Sequence, residues 1–181
     1  MTGDQTIASF VAALSARQPT PGGGASAAVT AAIACATAAM ACRYTTGEKW
    51  AAVSTEAEAL AQRLDTWRDD ALRFADADAT AFAAVGIAKK SKDAAVIAVA
   101  ESAAAAVPAG LIALCGQAAE ACGDFRPRCN PWLVSDIDTA LHLLAGAGRA
   151  ARRTLLVNQP PATLVDQANR TISALSAAES A

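Results

Sequence analysis

The sequence predicts an all-α protein, a single-domain antiparallel helical bundle of five to seven helices. Alanine is very abundant, apolar residues make up 54% of the chain and aromatic residues only 4%, and alanine is the best helix former. Apolar residues recur at steps of three and four, and no segment alternates as a strand does. The connections are short, which places neighbouring helices antiparallel. A length of 181 residues suits one domain, so residues 1–181 are predicted to form one.

The predicted helices are separated by glycine, proline and lysine breaks. In chain order they cover residues about 5–17, 24–45, 50–88, from the break at 89–93 to about 122, 136–157 and 162–178. Asp4 is the predicted cap of the first helix, which places Ile7, Phe10, Val11 and Leu14 on one face. The sequence therefore predicts that this face packs on the bundle.

Three signals predict where later helices end or bend. Gly47 is expected to cap the end of the alanine-rich helix, because glycine accepts the left-handed conformation there. Pro108 is expected to kink the fourth helix, because it lacks an N–H group. Pro160 and Pro161 end the fifth helix.

Charge and composition exclude several classes of partner. The net charge is −2, and no basic stretch is interleaved with aromatic residues, so a nucleic-acid partner is not expected. The N-terminus lacks the charged and apolar regions of a secretory signal. The uncharged run Ala25–Cys42 has the minimum length of a membrane span. It consists mostly of small residues, so the sequence predicts a central helix of a soluble bundle and no membrane partner.

Five cysteines are spaced as on helices rather than as zinc ligands. An odd number without a signal sequence predicts reduced thiols in a cytoplasmic protein. We expect these residues to act as small buried apolar groups. Cys122 and Cys129 flank the loop GDFRPR and are expected to be more exposed.

The segment PTPGGG, residues 19–24, opens the alanine-rich helix. It lacks the spacing of a phosphate loop and of a dinucleotide-binding turn, and no strand precedes it. One interpretation is a tight turn whose glycines permit positive φ and close backbone approach. The other adds that the free N–H groups of the helix N-terminus bind an anion or a carbonyl oxygen. The residues alone leave both open.

A carboxylate interrupts the apolar stripe of the third helix. In chain order the stripe consists of Leu60, Leu64, Trp67, Ala71, Phe74, Asp78, Phe82 and Val85. Asp78 stands where leucine is expected, whereas Asp65, Asp69, Asp70 and Asp76 lie mostly off the stripe. Burial raises the pKa of a carboxyl group, which suits a general acid or base. The alternative is an aspartate at the end of the bundle that reaches solvent or a basic partner.

Further candidates lie near two helix junctions. Ser135 and Asp138 have the spacing of a capping box, which leaves Asp136 without a structural role beside a loop that contains Asn130. Lys49, in the segment TTGEKW, is a candidate contact for a ligand carboxylate. A charged residue in such a break is more commonly only solvated.

In this order, the segments resemble the cyclodeaminase/cyclohydrolase family. That family includes the C-terminal domain of formiminotransferase-cyclodeaminase and stand-alone bacterial methenyltetrahydrofolate cyclohydrolases. The resemblance covers roughly residues 5–160. The matching segments are PTPGGGASAAVTAAIACATAAM (19–40), YTTGEKW (44–50), DADATAF (76–82), VP (107–108), NPWLVSDIDTA (130–140) and LLVN (155–158). Glu48, Trp132 and Thr154 mark departures from the family pattern.

The resemblance implies an all-helical homodimer with a folate site in a groove. It implies no metal and no cofactor beyond the tetrahydrofolate substrate. Asp78 or Asp136 is the expected base, and Lys49 is expected to donate a proton or contact the glutamate tail. The implied substrate-binding residues are Thr20, Pro21, Gly22, Gly23, Gly24, Asn130 and Ser135.

Three functions follow from the resemblance. The first is methenyltetrahydrofolate cyclohydrolase, which converts 5,10-methenyltetrahydrofolate and water to 10-formyltetrahydrofolate. The second is formiminotetrahydrofolate cyclodeaminase, which releases ammonia and forms the methenyl compound. The sequence begins at the resembling domain, which favours the first. The departures motivate a third hypothesis, a dimer that binds folate or a partner without turnover.

Overall fold

A computed structural model of the protein describes residues 1–180. It contains six α-helices joined by short loops and 3₁₀ turns, and residues 1–180 include no strand. The helices are α1 (Ile7–Ser15), α2 (Gly23–Arg43), α3 (Ser54–Ser91), α4 (Ala94–Phe125), α5 (Val134–Val157) and α6 (Ala162–Ala178). The predicted helical class is confirmed.

The alanine-rich helix α2 lies at the centre of the bundle. It packs mainly against α3 and α5, α4 packs on both of these, and α6 covers α4 and α5. Nearly every alanine on three sides of α2 is buried. Small side chains let helices approach closely, and interior packing is dense, so the core consists of alanine contacts with a few leucines between them.

Helix α1 differs from its prediction in its cap and its face. The side chain of Thr6, rather than Asp4, caps the helix by accepting a hydrogen bond from the Ser9 N–H at 3.1 Å. Phe10 is buried, whereas Ile7 is 82% exposed. The helix is short and only one edge of it reaches the bundle.

Two predicted break signals act differently in the structure. Helix α2 ends at Arg43, so Gly47 does not cap it. Gly47 instead adopts a φ of 88° at the start of the turn Glu48–Trp50, a conformation that favours glycine. Helix α4 continues through Pro108, which is buried inside it.

All five cysteines are free and buried. Burial raises the pKa of the Cys35, Cys42 and Cys115 thiols to about 12, which keeps them protonated and unreactive. The expectation that Cys122 and Cys129 are more exposed is wrong, because Cys122 is buried inside α4 and Cys129 packs against the buried Thr45, with 3.6 Å between its sulfur and the hydroxyl oxygen.

Helices α3 and α4 extend beyond the bundle as a two-helix arm, residues 79–103. The arm buries few side chains and exposes apolar ones, including Phe82, Ile87 and Val99. Lys89 Nζ lies 3.2 Å from Glu101 Oε1 and connects its two helices. An apolar arm of this kind is a candidate contact surface for another molecule.

Among residues 1–180, two helical segments are long and apolar enough to cross a membrane by length and composition. They are α2 and the segment Ala94–Arg128. In the most apolar window of α2, 61% of the residues are buried inside the bundle. This burial agrees with the predicted role of α2 as a core helix.

Candidate functional site

The glycine turn brings the backbone of α2 against a carboxylate. Gly22 is the residue before the helix and has an extended backbone, with φ −131°. The glycines with positive φ do not include Gly22, Gly23 or Gly24. A Cβ atom on Gly24 would lie 2.1 Å from Asp78 Oδ1. At Gly24, therefore, the reason for glycine is close approach rather than positive φ.

Asp78 is half-buried on the interior face of α3. Burial raises the pKa of this carboxyl above its ordinary value, and the backbone N–H of Ala25, in the first turn of α2, only partly offsets the effect. The predicted position on the apolar stripe and the predicted direction of the pKa shift agree with the structure.

Thr154 of α5 completes this end of the bundle. A Cβ atom on Gly23 would lie 3.8 Å from its methyl carbon. Its hydroxyl donates to the Ala151 carbonyl at 2.8 Å, so the methyl group faces the turn. We call Gly22–Gly24, Asp78 and Thr154 the glycine-turn cluster. Its position in the apolar pattern of α5 did not indicate that Thr154 lies close to the glycine turn.

Thr20 and Pro21 lie on the other side of the turn. They line a cleft of about 590 Å³ together with Phe10 and part of α3. Asp76 also lines it and accepts hydrogen bonds from the backbone N–H and the hydroxyl of Thr2, both at 2.7 Å. The cleft is large enough for part of a small-molecule ligand.

The remaining candidates gather around Thr45, at the other end of α2. The buried Thr45 hydroxyl donates to the Ala41 carbonyl at 2.8 Å and accepts from the Asn130 N–H at 3.1 Å. The Asn130 side chain donates to the Tyr44 carbonyl at 3.4 Å and accepts from the Trp132 N–H at 3.2 Å. These bonds hold the loop against α2.

Lys49 lies in the turn Glu48–Trp50, which follows Tyr44 and Thr45 along the chain, and Ser135 and Asp136 follow the loop. The Lys49 ammonium lies 5.2 Å from the centre of the Trp50 ring. Ser135 and Asp136 occupy the first turn of α5, and the Asp136 charge acts on the nearby Cys129 thiol. We call Tyr44, Lys49, Asn130, Trp132 and Asp136 the asparagine-loop cluster.

Two exposed aromatic residues of this cluster were not identified as candidates. Tyr44 is 66% exposed and Trp132 is 85% exposed. Aromatic side chains outside a core are a signal of binding surfaces. Trp132 entered the sequence analysis only as a departure from the family pattern.

The predicted capping box is wrong. Helix α5 begins at Val134, so Ser135 lies inside the helix rather than before it. Asp138 pairs with Arg126, with Nε–Oδ1 and Nη2–Oδ2 distances of 2.5 and 3.1 Å. Hydrogen bonds from Arg126 lower the pKa of the Asp138 carboxyl. The pair holds the start of α5 to the end of α4.

The two clusters lie at opposite ends of α2. Gly24 and Tyr44 are 20 residues apart on this helix, which corresponds to about 30 Å at the rise of an α-helix. The structure therefore brings Asp78 and Gly22–Gly24 together. It does not bring Lys49, Asn130, Ser135 or Asp136 to them within one chain.

The chemistry available in the glycine-turn cluster is proton transfer. A half-buried carboxyl group with a raised pKa exchanges a proton near neutral pH more readily than an exposed one. The N-terminus of α2 adds a positive potential and free N–H groups. Among residues 1–180, no group of three or more His, Cys, Asp or Glu side chains is arranged to hold a metal ion.

Comparison with known proteins agrees with this architecture. A crystal structure of formiminotetrahydrofolate cyclodeaminase from Thermotoga maritima, at 2.80 Å resolution, matches with a TM-score of 0.94. The match covers 99% of this chain and 94% of that chain at 24% identity, which establishes the shared fold. No curated protein matches the chain significantly. The model of the formiminotransferase-cyclodeaminase family matches residues 6–173. Because this match spans almost the whole chain, the protein belongs to the formiminotransferase-cyclodeaminase family.

Proposed function

We propose that this protein acts on the one-carbon bridge between N5 and N10 of tetrahydrofolate, as a formiminotetrahydrofolate cyclodeaminase. The observation that carries the proposal is Asp78, a half-buried carboxyl with a raised pKa at the N-terminus of α2. Family membership supplies the substrate class, and the similar bacterial structure bears the name of this reaction.

One carboxyl group can carry the proton transfers of this reaction. N10 attacks the carbon of the protonated formimino group, which forms the N10–C bond and leaves an extra proton on N10. Asp78 accepts that proton and donates it to the amino group on the same carbon. The C–N bond to this amino group then breaks, ammonia leaves, and the methenyl cation remains. Protons and charge balance without another reactant.

The glycine-turn cluster supports binding as well as proton transfer. Gly22 lets the backbone approach a flat ring system closely, because nothing lies within 4 Å of the position that a Cβ atom would take there. Thr20 and Pro21 extend the same wall into the adjoining cleft. We propose that this wall contacts the pterin and that Asp78 faces the reacting carbon.

Methenyltetrahydrofolate cyclohydrolase is the second candidate, and the same carboxyl group supports it. The methenyl cation is the product of the first reaction and the substrate of the second. In the second reaction a carboxylate stabilises the cation and removes a proton from the attacking water. N5 then takes up that proton and the C–N5 bond breaks, while the new hydroxyl group loses its proton to solvent and becomes the carbonyl of 10-formyltetrahydrofolate.

A homodimer would unite the two clusters. The side of α2 that faces away from the bundle carries Thr30, Ile33, Thr37 and Met40, and Ile33 is 51% exposed. Ile33 stands almost midway between Gly24 and Tyr44. Two copies packed antiparallel along this side, with the two-fold axis near Ile33, would place Gly24 of each beside the partner's Tyr44.

The two-helix arm fits the same arrangement. Residues 79–91 continue α3 beyond Asp78, by about 20 Å at the rise of an α-helix. They project past the end of α2 at which the partner's asparagine-loop cluster would lie. The exposed Phe82 of the arm and the partner's exposed Trp132 would then cover one another. The partner's Lys49 would complete the site as proton donor or glutamate-tail contact.

The redox state of the cysteines indicates the compartment in which the protein works. All five cysteines are free thiols in the structure, and free thiols are typical of a reducing compartment. We propose that the protein works in the cytoplasm.

One pair of assays tests the function. The purified protein is incubated with formiminotetrahydrofolate, and ammonia release and the near-ultraviolet absorbance of the methenyl product are followed. A separate reaction follows the loss of absorbance of methenyltetrahydrofolate. Ammonia release above the spontaneous rate supports cyclodeamination. Acceleration of the second reaction alone would mean that the protein is a cyclohydrolase and not a cyclodeaminase. Inactivity in both would favour a non-catalytic folate-binding dimer.

A further inference from the structure

A cleft between α5 and α6 is lined by arginines and has no part in the proposed reaction. Its volume is about 580 Å³, within the usual range of small-molecule sites. The lining residues are Arg149, Arg152, Arg153, Asn169, Ile172 and Ser173. Three guanidinium groups in one cleft are unexpected in a chain whose net charge is −2.

The three arginines differ in their charge partners. Arg149 pairs with Glu179, with an Nη1–Oε2 distance of 2.7 Å. Among residues 1–180, no carboxylate forms a salt bridge with Arg152 or Arg153. Like charges at adjacent positions repel one another, so a bound anion would relieve the repulsion.

Arg152 is also held in a defined orientation. Its Nε donates to Asn169 Oδ1 at 2.6 Å, across the gap between α5 and α6. This bond occupies one edge of the guanidinium group and leaves both terminal nitrogens for a ligand. Ile172 supplies an apolar wall beside it. A pre-oriented guanidinium loses little entropy when it binds a carboxylate or phosphate through two hydrogen bonds.

We infer that this cleft binds an anion that carries two or more carboxylate or phosphate groups. Both groups accept paired hydrogen bonds from the flat guanidinium fork, so the chemistry of recognition is shared. The ligand could be an oligocarboxylate, such as a short glutamate chain, or a phosphate ester. The inference does not depend on the reaction at Asp78.

Binding is tested by calorimetry at low ionic strength, with pyrophosphate and with tri-γ-glutamate as separate probes. At least one probe is expected to bind one-to-one with a dissociation constant below about 1 mM. Tighter binding of tri-γ-glutamate would indicate that the ligand is an oligocarboxylate, and tighter binding of pyrophosphate would indicate a phosphate ester. Weaker binding than this by both probes would overturn the inference.

A matched pair of double variants separates a built site from diffuse charge. Arg152→Gln with Arg153→Gln is expected to weaken binding by about tenfold or more, since hydrogen bonds between charged groups are lost. Arg17→Gln with Arg63→Gln removes the same charge elsewhere on the surface and should leave the affinity unchanged. Equal weakening in both pairs would contradict a specific site.

A charge-preserving pair covers the case in which the glutamine variant does not fold. Arg152→Lys with Arg153→Lys keeps both positive charges but removes the fork geometry and the bond from Nε to Asn169. Its affinity is expected to fall several-fold, roughly as for the loss of one charged hydrogen bond. Unchanged affinity in the lysine pair would show that charge alone is sensed and would overturn the inference.

Discussion

The two ends of α2 show two different uses of polar residues. At the asparagine-loop end, the Asn130 amide and the Thr45 hydroxyl are occupied by bonds within the chain, and Arg126 and Asp138 neutralise one another. At the glycine-turn end, Asp78 is half-buried without a cation among its interactions, and its pKa is raised. Polar groups at the first end stabilise a loop, whereas the carboxyl at the second is kept ready for proton transfer.

Removing the carboxyl at the glycine-turn end should have the largest effect. Asp78→Asn preserves the shape of the side chain, but it cannot shuttle a proton. The expected loss in kcat is roughly 10²–10⁴-fold, the usual contribution of general acid–base catalysis. Asp166→Asn, an exposed position on α6, is the matched control. Steady-state kinetics with the active substrate measure both, and full activity of Asp78→Asn would remove this residue from the mechanism.

Displacing the same carboxyl without changing it should have the next largest effect. In Gly24→Ala the new methyl group would overlap Asp78, whose Oδ1 lies 2.1 Å from its position. The carboxyl must move, and a misplacement on this scale costs on the order of 10²-fold in rate. Gly146→Ala is the control, because a Cβ there meets nothing within 4 Å. Kinetics of Gly24→Ala that equal those of the control would show that the carboxyl position is unimportant.

A heterodimer tests whether the two ends act together across the dimer. One chain carries Asp78→Asn and the other Lys49→Gln, and they are co-expressed with different tags. If each site takes Asp78 from one copy and Lys49 from the partner, the heterodimer retains one intact site and about half of the parental activity. Each homodimeric variant should remain well below that. Activity no higher than the mean of the two homodimers would mean that the site is not shared.

Asp78 should also affect the stability of the folded protein in a way that depends on pH. Its pKa is raised by folding, so the ionised carboxyl destabilises the native state, and stability is lost as the pH rises through the folded pKa. Asp78→Asn is therefore expected to unfold at a higher urea concentration than the parent at pH 7. The gain should disappear below the ordinary Asp pKa of 3.8. A destabilised variant at pH 7 would indicate that the carboxylate is a structural partner instead.

The ion pair at the asparagine-loop end should give the smallest effect, of opposite sign. Folding lowers the pKa of Asp138, so its contribution is present above the ordinary pKa of 3.8 and lost as the pH falls through the folded value. The pair is partly exposed, so Asp138→Asn should cost less than about 1 kcal/mol at pH 7. Urea unfolding at pH 7 and pH 3 measures the change. A cost that does not shrink as the pH falls below 3.8 would assign it to packing.

Much of the fold followed from local sequence properties. The steps of three and four in the apolar pattern and the abundance of alanine predicted an all-α bundle of five to seven helices, because both act within a few turns of the chain. The ends of α1, α2 and α5 were less predictable. Thr6 rather than Asp4 caps α1, and Ser135 lies inside α5, because the choice among neighbouring polar residues depends on packing outside the helix.

The sequence alone determined that α2 is a small-residue core helix and that Asp78 shares a face with apolar residues, since helical periodicity decides both. Only the tertiary structure decided which backbone the carboxyl meets, because the contact between Gly24 and Asp78 joins two helices across 54 residues of chain. The structure also separated Lys49 and Asn130 from that carboxyl by the length of α2. Which residues meet at each end of α2 depends on how the bundle packs. No local pattern of residues shows which of them end up at opposite ends of the helix.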